Sequence, residues 1–151
     1  MRDLAAAVME EKAVLAEGAV IERLRRGGSL LDEHLLAAPL VLEEEGREAL
    51  RSIYRSYIDI AAGYGIPIMI LAPTWKAGAY GCERAGIDLG LVNRSCIEFM
   101  EETAAEYPGM AEKIFIGGLV GGRGDSYRPD EALPRGEARR YHTPQIEALR
   151  D

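Results

Sequence analysis

Apolar residues along this chain form two kinds of pattern, short unbroken runs and longer stripes at helical spacing. The unbroken runs cover residues 12–16 (KAVLA), 66–72 (IPIMILA) and 113–120 (KIFIGGLV). Runs without polar alternation predict strands covered on both faces, as in a parallel sheet. Pro67 fits only at the start of such a strand, because it has no N–H for the ladder. The longest stripe joins Leu42, Leu50, Ile53, Tyr57 and Ala61, widened by Tyr54 and Ile58, and predicts a helix over 42–62. Glu43, Glu44 and Glu45 occupy its first turns, where the helix dipole favours negative charge. A second stripe of Cys96, Phe99, Met100, Thr103 and Tyr107 predicts a helix capped by Asn93 and ended at Pro108-Gly109.

Shorter helices are expected over 3–10 with Asp3 as N-cap, over 20–26 ended by Gly27-Gly28, and over 32–37 stopped before Pro39. A last helix, 137–149, is expected to break or kink at Pro144. Residues 74–88 read as a loop with room for a short helix, and 123–136 as a long polar loop. Strands thus alternate with helices. The expected fold class is α/β, a partial (β/α)8, TIM-barrel-like arrangement of parallel strands with covering helices. A closed barrel needs about 250 residues, whereas this chain has 151. The whole of 1–151 therefore reads as the N-terminal part of a barrel domain, completed by a missing C-terminal half or by a homo-oligomer. The alternative is a small doubly wound domain with a fourth strand that the pattern does not reveal.

Composition narrows the function classes. Asp plus Glu is 25 against 18 Lys plus Arg, a formal charge of -7, the wrong sign for a nucleic-acid backbone as main partner. No apolar stretch is long enough to span a bilayer, and acidic residues at Asp3, Glu10 and Glu11 interrupt the N-terminal apolar run, so neither a membrane partner nor a signal peptide is expected. Two cysteines make no disulfide framework, and the default location is cytoplasmic.

Candidate chemistry gathers at the ends of the three runs. Glu17-Gly18 follows the first; a carboxylate there points at the usual ligand position of a parallel fold, although a solvated turn reads equally well. Thr74 and Trp75 follow the second, as a hydrogen-bond donor and a pocket wall. Gly117, Gly118, Gly121 and Gly122 follow the third, where missing side chains allow close backbone approach. That segment is neither a P-loop nor a dinucleotide fingerprint, and the Arg-Gly-Asp triplet at 123–125 is too short to mean adhesion. Cys82 and Cys96, with isolated His34 and His142, form no tight metal-binding pattern, so no metal ligand is assigned within the chain. Glu83 and Asp88 are potential paired acids or simply the solvated side of a loop.

Residues 14–28 (VLAEGAVIERLRRGG) resemble the opening of the homocysteine S-methyltransferase family, where an acid-glycine pair follows the first barrel strand. Tyr57 to Gly63 and Ala72-Pro73-Thr74-Trp75 resemble its second unit, a Y-x-x-A-G helix leading through a strand to a Thr-Asn-Thr-Tyr type loop. Residues 117–146, with Tyr127, Pro129-Asp130-Glu131 and Tyr141-His142-x-x-Gln145-Ile146, resemble the third unit. The family's Gly-Thr is Ile21-Glu22 here, its loop Asn is Pro73 and the neighbouring Tyr is Trp75. The resemblance implies the N-terminal half of a (β/α)8 barrel that moves a methyl group to a homocysteine-type thiol, a reaction of methionine biosynthesis. It implies a small-molecule sulfur or methyl-donor substrate, with Glu17, Gly18, Thr74, Trp75, Gly118 and Gly121 at the substrate site. It also implies a zinc ion held by cysteines of later strands, to which Cys82 and Cys96 do not correspond. A non-catalytic half-barrel that binds ligands or self-associates is the alternative.

Overall fold

The computed structural model describes residues 3–124 and 127–150. Asp125 of the Arg-Gly-Asp triplet, and Ser126 of the 123–136 loop, lie outside the described residues. Six α-helices and three strands follow one another as α1 (Leu4–Glu10), β1 (Leu15–Ala16), α2 (Val20–Arg26), α3 (Glu44–Tyr64), β2 (Ile68–Leu71), α4 (Ala79–Ala85), α5 (Leu89–Ala105), β3 (Ile114–Gly117) and α6 (Arg135–Arg150). Among the described residues the strands form one sheet in the order β1-β2-β3, with both pairings parallel. Leu15 pairs with Ile68, and Ile68 with Ile114; Ile70 pairs with Ile116 and Leu71 with Gly117.

In-register parallel partners share a face. Leu15, Ile68, Ile70, Ile114 and Ile116 accordingly belong to one hydrophobic core with Leu50, Ile58 and Phe99 of the helices. The expected burial on both faces is corrected here. Ile68 and Ile70 are fully buried, but Met69 and Leu71 are only half-buried and Ala16 is exposed. Helices cover one face; the other carries the next residue of every strand, and it is the face that a closed barrel would turn inward. The strands are also shorter than their apolar runs, since the ladder holds only residues with a partner at the same level.

Local chemistry accounts for the other departures. Residues 32–37 do not form a helix: Asp32 Oδ1 accepts from the N–H groups of His34 and Leu35, both at 2.7 Å, and so closes a turn that competes with helix. The chain then makes a 3-10 turn over Ala38–Leu42 with Pro39 in its first positions, and α3 begins two residues later than its stripe. Asp88, not Asn93, caps α5, its Oδ1 accepting from Leu91 N at 2.7 Å. Pro144 leaves α6 unbroken. It is exposed, as is Arg140, so the carbonyl deprived of its donor can turn to water, while Thr143 Oγ1 donates to Arg139 O at 2.8 Å. Asp3 caps α1 as expected, and α4 fills the space expected for a short helix.

Candidate active site at the strand ends

Because the strands run parallel, their C-terminal ends bring Glu17, the 73–75 segment and the 118–122 segment to one edge of the sheet. Glu17 lies directly after β1. The next residues are held tightly: Gly18 O accepts from Tyr57 Oη at 2.6 Å, and the Arg23 guanidinium stacks over the Tyr57 ring at 5.2 Å. Ala19 has φ +53°, a left-handed conformation that costs a non-glycine residue about 1–2 kcal/mol. Leu36, which together with Glu17 lines a small cavity, has φ +56°. Two strained residues beside one carboxylate are typical of a site that the rest of the fold holds in place.

The Glu17 carboxyl is half-buried, and its Oε2 has no hydrogen-bond partner in the structure. Burial pushes its pKa up, with the backbone N–H groups of Glu17 and Leu71 partly opposing the shift. A cavity of about 60 Å³ opens beside it, walled by Tyr54, Leu35, Leu71, Pro73 and Trp75. Tyr54 Oη donates to Leu71 O at 2.8 Å; its phenol is held in the neutral form by burial first and by the Glu17 charge second. A carboxylate oxygen buried without a partner against apolar walls is a strong acceptor for an N–H donor, above all a cationic one.

Thr74 is fully buried, so the expected donor to a ligand is turned inward. Its Oγ1 lies 2.9 Å from Leu119 O and 3.0 Å from Leu119 N, tying the end of β2 to the chain beyond β3. Below it runs a buried polar network. Gln145 Nε2 of α6 donates to Thr74 O at 2.8 Å and to Asn93 Oδ1 at 3.3 Å, and Asn93 Nδ2 of α5 donates to Ala77 O at 2.8 Å. Both ends of the 74–77 turn are thereby held by side chains from two helices.

Trp75 stands out from this clamp, 40% exposed, as the common wall of two cavities. Gly121 makes room for it, since a Cβ there would lie 2.6 Å from Trp75 Nε1. Gly121→Ala is expected to cost about 1–3 kcal/mol of stability by overpacking and to shift Trp75 emission; a melt together with a fluorescence spectrum checks both. Gly118 faces elsewhere: its Cβ would meet the Leu149 side chain of α6 at 2.6 Å, so its lack of a side chain serves packing. On the far side of Trp75 a second cavity of about 430 Å³ lies between the 75–81 segment, 121–124 and α6.

Cys82 and Cys96 are buried thiols whose pKa values burial raises to about 11 and about 12, which disfavours the thiolate that zinc requires. No three His, Cys, Asp or Glu side chains come together among the described residues. The chain's described residues therefore do not fit a zinc site. Asp88 is occupied as a helix cap and Glu83 is exposed, so the two acids form no pair at the strand ends. Sequence reasoning did not single out Tyr54, Asn93 or Gln145 as site residues. For Tyr54 a signal existed: a phenol on a buried stripe must find a partner for its hydroxyl.

A parallel α/β sheet with its acid, its loop aromatic and its glycines at the C-terminal ends has the layout of a barrel enzyme's upper face. The homocysteine S-methyltransferase family model matches residues 14–151, and the chain belongs to that family. The crystal structure of the homocysteine methyltransferase MmuM from Escherichia coli in its metallated form matches with a TM-score of 0.80 at 22% identity, over 98% of this chain and 53% of that one. Its oxidized form matches with the same score and identity over 52% of that chain. The chain thus spans about half the length of these solved structures. No curated protein matches the sequence. No helix among the described residues is long and apolar enough to cross a membrane.

Proposed function

We propose that this chain is the substrate-orienting half of a methyl-transfer barrel acting on a homocysteine-type thiol. The observation that carries the reading is Glu17 Oε2, an unpartnered buried acceptor at the strand ends of a homocysteine S-methyltransferase family fold. In this reading Glu17 accepts the N–H groups of an amino-acid ammonium, while Trp75 and Pro73 exclude water above it. In the transfer itself the thiolate sulfur forms the new S–CH3 bond as the bond between the methyl carbon and the donor's sulfonium sulfur breaks, the bonding pair staying on the donor sulfur. A charge-neutralising transfer of this kind is favoured by a dry site.

The zinc expected of the family has no ligand set among the described residues, so any metal contribution comes from a complementary part of the barrel. That complement also covers the open sheet face. A second copy of this chain would add only three strands, short of an eight-stranded closure, which favours a complementary half over self-pairing. The test combines native mass spectrometry with an assay for methionine formed from homocysteine and S-adenosylmethionine in the presence of zinc. Homocysteine bound by the chain alone, with methionine made only by an assembly larger than one chain, is the expected result. A chain that binds no homocysteine overturns the reading.

A further inference from the structure

The larger cavity, beyond Trp75, is not needed by the reaction above, yet its lining is distinctive. Lys76, Arg84 and Arg123 face it from three separate segments, against the single carboxylate of Glu33 among the described residues. In a chain of net charge -7, that is a local reversal of sign. No carboxylate lies within ion-pair distance of Arg84 or Arg123 among the described residues. Arg84 instead stacks over the Tyr80 ring at 5.6 Å, and Lys76 Nζ lies 5.1 Å from the centre of the Trp75 ring while donating to Gly124 O at 3.2 Å. The Arg123 charge reaches the Tyr141 phenol, favouring its ionised form against the dominant effect of burial. Glycines at 78, 81, 121, 122 and 124 line it with backbone.

We propose that this cavity is a second binding site, selective for an aromatic anion of about nucleotide size. Its volume of about 430 Å³ falls in the range of small-molecule sites, about 300–1,000 Å³. Guanidinium groups without carboxylate partners among the described residues supply charge-assisted donors for a phosphate or carboxylate. The indole of Trp75 and the phenol rings of Tyr80 and Tyr141 supply flat apolar surface for a ring. Neither part alone accounts for the lining: an inorganic anion leaves the aromatic walls wet, and a neutral ring leaves the cations unpaired.

Trp75 is the sole tryptophan of the sequence, so its emission reports on the site in the unmodified protein. Adenosine monophosphate is expected to quench it saturably, with an affinity that weakens as salt rises. Inorganic phosphate should compete only weakly, and adenosine should give no saturable quench. Arg84→Ala and Arg123→Ala should each weaken adenosine monophosphate binding about tenfold, as for loss of a hydrogen bond to a charged group. Glu33→Gln should tighten it, and Arg26→Ala, the same charge change as the two arginine variants but on the exposed face of α2, should leave it unaltered. Tighter binding of para-hydroxybenzoate than of the nucleotide would assign the anion as a carboxylate and sustain the site. Absence of saturable quenching by either aromatic anion at millimolar concentration overturns the proposal. So does quenching that Arg84→Ala and Arg123→Ala leave unchanged in variants with intact circular dichroism.

Discussion

Glu17→Gln is expected to raise the melting temperature of the chain while weakening homocysteine binding at least tenfold. The two effects have one origin. The carboxyl is half-buried and one of its oxygens has no partner, so its negative charge is poorly solvated in the folded state. Its folded pKa lies above the ordinary 4.5, with burial as the main cause. A group whose pKa is raised on folding binds more protons in the native state, so the stability it confers is lost as pH rises. Near and below 4.5 wild type and variant should melt alike. The gap should open as pH climbs through the raised pKa and stay constant above it. Burying the charged carboxylate in place of a neutral amide costs on the order of 1 kcal/mol, which for a domain of this size is a few degrees. Binding moves the other way, because the neutral amide offers an ammonium a weaker acceptor. Melts across a pH series, with calorimetric titration of homocysteine, measure both. A variant that melts lower than wild type at neutral pH would show that Glu17 holds the fold together instead.

That opposition of stability and function was half visible in the sequence. The position of Glu17 after an apolar run marks it as a strand-end acid, but a solvated turn reads equally well from sequence, and only burial separates the two. Other features were legible because their cause is local. The helical stripe from Leu50 to Ala61, the strand at Ile68–Leu71 and the cap at Asp3 are written in spacings of a few residues. The segment 32–37 misled for a local reason too: Leu, Asp, Glu and His have helical composition, yet the short Asp32 side chain captures two N–H groups. What stayed hidden depends on partners far along the chain. Thr74 looks like a free donor until Leu119 is found bonded to it, and Asn93 looks like a cap until Ala77 and Gln145 are found beside it. The open inner face was hidden for another reason. Half-buried Met69 and Leu71 are as apolar as a covered strand's residues, because their burial depends on a surface outside these residues.

Gln145→Leu should destabilise the fold by about 1–3 kcal/mol, a fall in melting temperature of about 5 °C. Gln145 is 1% exposed and gives two hydrogen bonds, to Thr74 O and Asn93 Oδ1. Leucine has similar volume, so little cavity forms; Thr74 O keeps the Ala77 N–H at 2.9 Å, so the loss is chiefly that of Asn93 Oδ1 left dry, offset in part by removal of the partnerless Gln145 Oε1. The 74–77 turn would loosen with it, and Trp75 emission should move to the red as the indole becomes wetter. Ile146→Ala, one residue on but 52% exposed, serves as the helix control and should change the melt by no more than a degree or two. The pair Gln145→Leu with Asn93→Leu discriminates further. If Gln145 and Asn93 act as one network, the double variant must lose less than the sum of the singles, because each change removes a group that the other would have left unsatisfied. Additive losses would mean that the two helices hold the turn independently, and that the strand-end loop owes its position to packing of Trp75 against Gly121 rather than to the buried amides.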